Sequence, residues 1–126
     1  MITHLKFVGI PTRDQDRAVA FYTEKLGFKV VTDQPMGPTQ RWIELRIGAS
    51  ESRVVLFTPE GHEARIGTFF NGSFACDNVE KTYEELTARG VEFSEPPNQM
   101  PYGIDSGFRD PSGNSIRLTQ LNPDFG

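Results

Sequence analysis

The sequence predicts an α+β fold built from two tandem β-α-β-β-β modules, and two observations support this prediction. The first is a pattern that occurs twice: an alternating segment, a capped helix that ends at a glycine, and further alternating segments separated by turns. The helix begins after Asp14 and ends at Gly27 in the first half, and begins after Asn78 and ends at Gly90 in the second. The second is the spacing, since an offset of 64 residues carries Asp14 onto Asn78. Caps, stops and strand phases that recur together indicate a duplicated module.

The first module covers about residues 1–58. Val8 and Ile10 alternate with their neighbours and predict a strand that ends near Pro11. A short strand follows the helix, a loop with two prolines comes next, and two strands at about 41–47 and 53–58 complete the module.

Residues 59–69 have no clean period and are predicted to be a linker, and the second module covers about residues 70–126. Its predicted strands after the helix lie near 91–93, 104–109 and 115–121, with a proline-rich loop from Glu95 to Gly103. The two modules are small enough that we expect residues 1–126 to form a single domain.

A turn motif precedes the last predicted strand. The run Asp110-Pro111-Ser112-Gly113-Asn114 has the residues of a type I turn that closes a hairpin. The strand after it alternates, with Ile116 and Leu118 on one face. We expect the strand at 53–58 to be its counterpart, aligned so that Leu56 corresponds to Arg117.

Composition excludes several classes of partner. The 126 residues carry a net charge of -4 without a basic run, so we expect neither nucleic acid nor an anionic membrane as a partner. There is no apolar run near the roughly 18 residues that a membrane span needs and no charged-then-apolar leader, so we expect a cytoplasmic protein. The single cysteine, Cys76, lies in an apolar run and is interpreted as a small buried hydrophobe.

Three segments resemble the vicinal oxygen chelate superfamily, which includes glyoxalase I, extradiol dioxygenases and bleomycin-resistance proteins. They are the segment from Asp14 to Tyr22, the segment from Lys25 to Phe28, and the turn from Asp110 to Asn114. The resemblance implies two curved modules whose mixed sheets form a cup, with the helices outside and the ligand inside, often in a dimer. It also implies that metal-dependent members bind a divalent ion with His or carboxylate residues from the first and last strand of each module.

Strand alternation predicts which side chains face the inside of the cup. Ten residues are assigned to the helix side: Val8, Ile10, Ile43, Leu45, Val55, Phe57, Phe74, Cys76, Ile116 and Leu118. The concave side then has Phe7, Gly9, Trp42, Glu44, Arg46, Val54, Leu56, Asn71, Ser73, Asp105, Gly107, Arg109, Ser115 and Arg117.

The positions that would hold a metal by the resemblance carry unsuitable side chains. Counting back seven residues from the two helix caps gives Phe7 and Asn71, and the middles of the last strands give Leu56 and Arg117. A divalent ion needs about three or four converging lone-pair donors, which this set does not supply. We therefore expect no metal and no cofactor. His4 and His62, the only histidines, are expected to be exposed.

A set of concave residues is predicted to bind a small-molecule ligand, with Trp42 as a stacking surface for an aromatic one. Glu44 and Arg117 are expected to pair and to orient a polar group, with Arg109 as a further donor. The same charged residues also fit a solvated mouth of the cup, and both interpretations stay open. The full predicted set is Phe7, Trp42, Glu44, Leu56, Asn71, Arg109 and Arg117.

The leading functional hypothesis is a metal-independent small-molecule-binding protein that resembles the bleomycin-resistance branch. The alternative is an enzyme, a glyoxalase-like lyase or a dioxygenase, with a displaced metal site or with Glu44 as a general base. A third hypothesis is a scaffold without a ligand. We expect a homodimer, because two open modules leave sheet edges that a second subunit can cover.

Overall fold

The computed structural model describes residues 1–125, which contain two four-stranded sheets, two α-helices and short 3-10 helices at Glu63–Arg65 and Pro123–Phe125. The elements in chain order are β1 (Phe7–Pro11), α1 (Gln15–Ala20), β2 (Lys29–Pro35), β3 (Arg41–Arg46), β4 (Arg53–Phe57), β5 (Gly72–Ala75), α2 (Val79–Ala88), β6 (Glu92–Met100), β7 (Gly103–Arg109) and β8 (Ser115–Leu121). This order confirms the predicted α+β class and the two β-α-β-β-β modules.

The two sheets have the same topology. The strand order is β1-β4-β3-β2 in the first sheet and β5-β8-β7-β6 in the second. In each sheet the first strand of the module runs parallel to the last, and the other pairs are antiparallel. The first and second strands of each module therefore run parallel at opposite edges of the sheet, and the helix is the crossover connection between them.

The helix caps predicted from the sequence are confirmed. The Asp14 side chain accepts a hydrogen bond from the Arg17 amide at 3.1 Å, and the Asn78 side chain accepts one from the Lys81 amide at 3.0 Å. Gly27 and Gly90, which follow the helices, have φ values of 80° and 90°, which favour glycine. A π-helical turn at Phe21–Lys25 extends α1. Neither these helices nor any other within residues 1–125 has the length and apolarity to cross a membrane.

Two strands are longer than the sequence indicates. β6 was predicted to end near residue 93 and to be followed by a proline-rich loop, but it continues through Pro96 and Pro97 to Met100. β2 likewise extends to Pro35. Both are edge strands, where the missing amide hydrogen of proline costs no ladder bond on the solvent side. Register shifts interrupt both ladders, so local alternation could not show the pairing.

The core lies on the helix side of the sheets and is continuous between the modules. Phe21, Leu26, Phe70 and Phe74 each pack against both the first and the second hydrophobic cluster. The Phe28 and Phe74 rings meet edge to face at a centroid distance of 5.4 Å, and the Phe21 and Phe108 rings are tilted at 41° with centroids 6.2 Å apart. The two modules are therefore joined through their helix sides.

A buried polar network also connects the modules. Asp110 in the β7–β8 turn accepts hydrogen bonds from the Tyr22 hydroxyl at 2.7 Å and from the Asn114 amide group at 2.8 Å. The same Asn114 amide group donates to the backbone oxygen of Pro11 at 2.7 Å. Burial, and then the Asp110 charge, raises the pKa of Tyr22 far above its ordinary value. The phenol therefore stays protonated and acts as a donor.

We expect Tyr22→Phe to lower the free energy of unfolding by about 1–3 kcal/mol, because Asp110 stays buried and loses one donor. The measurement is urea unfolding followed by circular dichroism. Tyr83→Phe is the matched control: it removes the same hydroxyl from a half-buried ring that packs on Phe93, and should change stability by less than about 0.5 kcal/mol. Equal losses in the two variants would show that the bond to Asp110 does not stabilise the fold.

Candidate functional site

Each sheet has one face without a helix, which we call its open face. Residues paired across neighbouring strands point to the same face, so the ladder registers assign the side chains. Leu56 pairs with Ile10 and Ile43, is fully buried, and belongs to the core on the helix side. Its predicted place on the concave face was therefore wrong, as was that of Val54. Val55 and Phe57 were assigned to the helix side and lie instead on the open face, with Glu44.

The error comes from a shift of one residue between the two modules. Leu56 pairs with Ile10, and Leu118 pairs with Phe74 in the same way in the second sheet. The counterpart of Arg117 is therefore Val55 and not Leu56. β4 contains the uninterrupted apolar run from Val54 to Phe57, so its sequence does not show which residues face the core.

The open face of module 1 is aromatic. The Phe7 ring meets the indole of Trp42 edge to face, with centroids 5.4 Å apart. The Phe57 ring lies across Gly9, where an added Cβ would be only 2.8 Å from Cε1 of the ring. Glycine at position 9 therefore allows a ring to lie on the sheet. Phe7 is 37% exposed, so this surface is partly available for contact.

Glu44 lies on the same face, and both of its carboxylate oxygens are engaged. Arg53 donates to Oε2 at 2.6 Å, and the indole N–H of Trp42 donates to Oε1 at 3.3 Å. These bonds, the one from Arg53 first, lower the pKa of Glu44 although burial opposes them. The expected pair of Glu44 with Arg117 was wrong, because the two residues lie on different sheets and Arg53 is the partner of Glu44.

The open face of module 2 is polar and ionic. Arg117 forms ion pairs with Asp105 and, at 3.1 Å, with Glu95. Asp105, and then Glu95, raises the pKa of Arg117, which therefore stays charged. The guanidinium lies over Gly107, where a side chain would collide with it. Both carboxylates accept from Nη2 of Arg117, so the charge of the guanidinium is already compensated on this face.

Two further predicted residues lie apart from these clusters. Asn71 is exposed just before β5. Arg109 is exposed at the end of β7 and donates to the backbone oxygen of Gly113 at 3.0 Å. The structure brings Phe7, Trp42 and Glu44 together, and the sequence reasoning missed their neighbours Arg53, Val55 and Phe57. Arg53 is the basic residue of β4, the strand beside Glu44. It could have been predicted if the sequence of β4 had shown which of its residues share a face with Glu44.

The residues of the open faces do not fit a divalent metal. Phe7 and Val55 hold the relevant positions in module 1, and Arg117 in module 2 is a cation. Across residues 1–125, no three His, Cys, Asp or Glu side chains converge in a way that could hold an ion. The donor set thus lacks the ligands that zinc, iron or manganese would require.

Three cavities lie within the residues that the structure describes. Their volumes are about 310, 210 and 200 Å³, and none of the three is lined by residues from both open faces. The second of them lies on the helix side and contains Cys76. This thiol is half-buried, and burial raises its pKa, which disfavours the reactive thiolate.

Known proteins share this arrangement over most of their length. The protein YetH of Bacillus subtilis is 35% identical over 123 residues, which cover 95% of this chain and 100% of that protein. Among solved structures, TnmS3, an antibiotic binding protein from Streptomyces sp. CB03234, has a TM-score of 0.85 and 30% identity, with 96% of this chain and 98% of that chain covered. UcmS2 has a TM-score of 0.84 and 36% identity, with 94% and 98% covered.

The family resemblance in the sequence is confirmed by a match to a family model. That model is described as the Glyoxalase/Bleomycin resistance protein/Dioxygenase superfamily, and it matches residues 2–118. The match includes both modules, their capped helices and the turn at Asp110. The chain therefore belongs to the Glyoxalase/Bleomycin resistance protein/Dioxygenase superfamily.

Proposed function

We propose that this chain is a metal-independent small-molecule-binding protein of the bleomycin-resistance type, which binds a planar aromatic ligand against the open face of module 1. The observation that carries the proposal is the grouping of Phe7, Trp42 and Phe57 on the face of the first sheet that lies outside the two hydrophobic clusters. Aromatic side chains that are not needed for packing provide a surface for stacking.

The charges on the two open faces support a ligand with an apolar body and polar edges. In module 1 the Glu44 carboxylate is neutralised by Arg53, so the aromatic surface has no net charge at that pair. In module 2 the hydroxyls of Ser73 and Thr119 lie 2.6 Å apart beside the Asp105–Arg117 pair. A ligand held between such faces would stack on one and form hydrogen bonds to the other.

The similarity to TnmS3 supports the same proposal, because that protein is described as antibiotic binding and shares 30% identity over nearly the whole chain. The enzyme alternative, a lyase or a dioxygenase, has support from the family description and from 28% identity over 119 residues with a probable lactoylglutathione lyase of Arabidopsis thaliana. Glu44 was its candidate general base. A carboxylate with a lowered pKa and both oxygens already bonded is a poor proton acceptor, so the contacts favour a positioning role for Glu44.

We further propose a homodimer, since an open face needs a second wall to enclose a ligand. The modules join through their helix sides, and apolar residues are exposed along the N-terminal segment and β1: Ile2 at 96%, Leu5 at 63% and Val8 at 39%. An exposed apolar edge strand is a surface that a second copy can cover. The expected cytoplasmic location stays a prediction.

Ligand binding is tested with Trp42, the only tryptophan of the chain. In a panel of aromatic, quinone-like and antibiotic compounds, we expect at least one to quench its emission, equally well with and without EDTA. Calorimetry should then show that Trp42→Ala weakens binding of that compound by about 1–3 kcal/mol. Phe125→Ala, an exposed aromatic outside the open-face strands, is the control and should bind normally. A panel that never changes the emission, or binding that EDTA abolishes, would contradict the proposal.

The role of Glu44 is tested by acid unfolding. Because its pKa is lowered in the folded state, the pair with Arg53 stabilises the fold above the ordinary pKa of 4.5 and is lost as pH falls through the folded value. We expect Glu44→Gln to lower the free energy of unfolding by about 1–3 kcal/mol at neutral pH. This range already allows for solvent screening of the pair at the partly exposed Arg53. The difference from wild type should shrink below about pH 4.5.

Glu24→Gln, an exposed carboxylate in the turn after α1, is the control for this change and should follow wild type. If Glu44 had the raised pKa of a general base, the effect on stability would have the opposite sign. The free energy of unfolding of Glu44→Gln would then rise relative to wild type at neutral pH. That outcome would favour the enzyme alternative.

The dimer is tested by sedimentation velocity at micromolar concentration. We expect a dimer for wild type and a shift to monomer for Val8→Lys, which places a charge on the exposed edge of the first sheet. Val30→Lys is the matched control, since Val30 is 45% exposed on the opposite edge strand β2. A monomeric wild type, or equal effects of the two substitutions, would count against this interface.

A further inference from the structure

The connection between β4 and β5, predicted as a linker, lines an open cavity of about 200 Å³. Its walls consist of Phe57, Pro59, His62, Arg65 and Phe69. This volume is smaller than that of a typical pocket for a drug-sized ligand, and it suits one substituted aromatic ring.

The cavity borders the aromatic open face of module 1. Phe57 belongs to both, because its ring lies over Gly9 on the sheet and also lines the cavity. Gln40, two residues before Trp42, donates to the backbone oxygen of Thr58 at 3.1 Å, and Thr58 lies between the lining residues Phe57 and Pro59. A ligand stacked on the open face can therefore extend one ring into the cavity.

The polar side chains on the cavity wall are donors. Arg65 places its guanidinium 5.7 Å from the centroid of the Phe69 ring, and His62 lies on the same wall. The two nearby carboxylates are directed elsewhere: Glu60 accepts from the Thr39 hydroxyl at 2.6 Å, and Glu63 accepts from the Gly61 amide at 3.1 Å. The cavity thus combines apolar walls with a cation and a histidine.

The connection is held in place from the first module. The Arg13 guanidinium donates to the backbone oxygens of Glu63 at 3.2 Å and Ile66 at 3.3 Å, and Ile66 is only 4% exposed. A wall fixed by such contacts loses little conformational entropy when a ligand binds, which favours affinity.

We propose that this cavity is a subsite for an aromatic ring that carries an anionic oxygen group, a carboxylate or a phenolate. The ring packs between Phe57 and Phe69, and the anionic oxygens accept charge-assisted hydrogen bonds from Arg65 and, when it donates, from His62. The inference rests on the proposed function, because the cavity extends the same ligand surface.

Benzoate is the probe, and the rings of the two histidines are the reporters. In titrations followed by NMR, we expect benzoate to shift the His62 ring signals and the amides of residues 57–69, and to leave His4 unchanged. Benzamide and benzylamine, the neutral and cationic analogues, should bind about tenfold more weakly, as expected when a charge-assisted bond is lost. Equal binding of the three compounds, or no shift of His62 at millimolar benzoate, would overturn the subsite.

Two matched arginine substitutions complete the test. Arg65→Gln should weaken benzoate binding about tenfold, whereas Arg17→Gln, an exposed arginine on α1, should leave it unchanged. An unchanged amide spectrum in the free state shows that each variant folds. Equal effects of the two substitutions would mean that benzoate responds to general charge, and the subsite would be refuted.

Failure of the subsite and failure of the proposed function give different results. If a compound of the panel quenches Trp42 while benzoate leaves His62 unmoved, the open face binds ligands and the subsite is wrong. If benzoate shifts His62 while no compound of the panel changes Trp42, the cavity binds an aryl anion and the proposed function of the open face is wrong.

Discussion

The Asp110 carboxylate is the group on which the relation between the two modules depends. One of its oxygens accepts hydrogen bonds from the backbone amides of Ser112 and Asn114, both at 2.9 Å, and so closes the β7–β8 turn. The other accepts from Tyr22 and Asn114, which connects that turn to the first module. A buried carboxylate with four donors is costly to disturb, since each lost partner leaves charge without solvation. The turn motif that marks the family is therefore also the contact that holds α1 against the second sheet.

That contact has a consequence for the site. The helix sides of the two sheets are joined, so each open face belongs to a single module. None of the three cavities described within residues 1–125 lies between the two open faces. The two open faces also differ chemically, although the modules share one topology. Glycine provides the space in both: Gly9 lies under the Phe57 ring and Gly107 under the Arg117 guanidinium. The two modules share one backbone topology, and the side chains that lie over these glycines make one open face aromatic and the other ionic.

The sequence was sufficient for the features that local interactions determine. A helix cap such as Asp14 needs only an acceptor three residues before an amide, so it is visible in the chain itself. The phase of β4 was not visible, because Val54 to Phe57 are all apolar and only pairing with Ile10 shows which of them face the core. The partner of Glu44 was misassigned for the same reason. The prolines of β6 predicted a loop, because proline is tolerated in a strand mainly at the edge of a sheet. The sequence of the segment does not show that β6 is an edge strand.

The arrangement of the charged groups supports the proposed binding role more than the enzyme alternative. Catalysis requires groups that interact more strongly with a transition state than with the bound substrate, and a general base needs a free lone pair and a pKa near the working pH. Both oxygens of Glu44 already accept a hydrogen bond and its pKa is lowered, and Arg117 is paired with two carboxylates. Such pairs fix the shape of a surface. The aromatic face and the cavity at the β4–β5 connection give the proposed ligand rigid apolar area and the guanidinium of Arg65, which pairs with no carboxylate among residues 1–125.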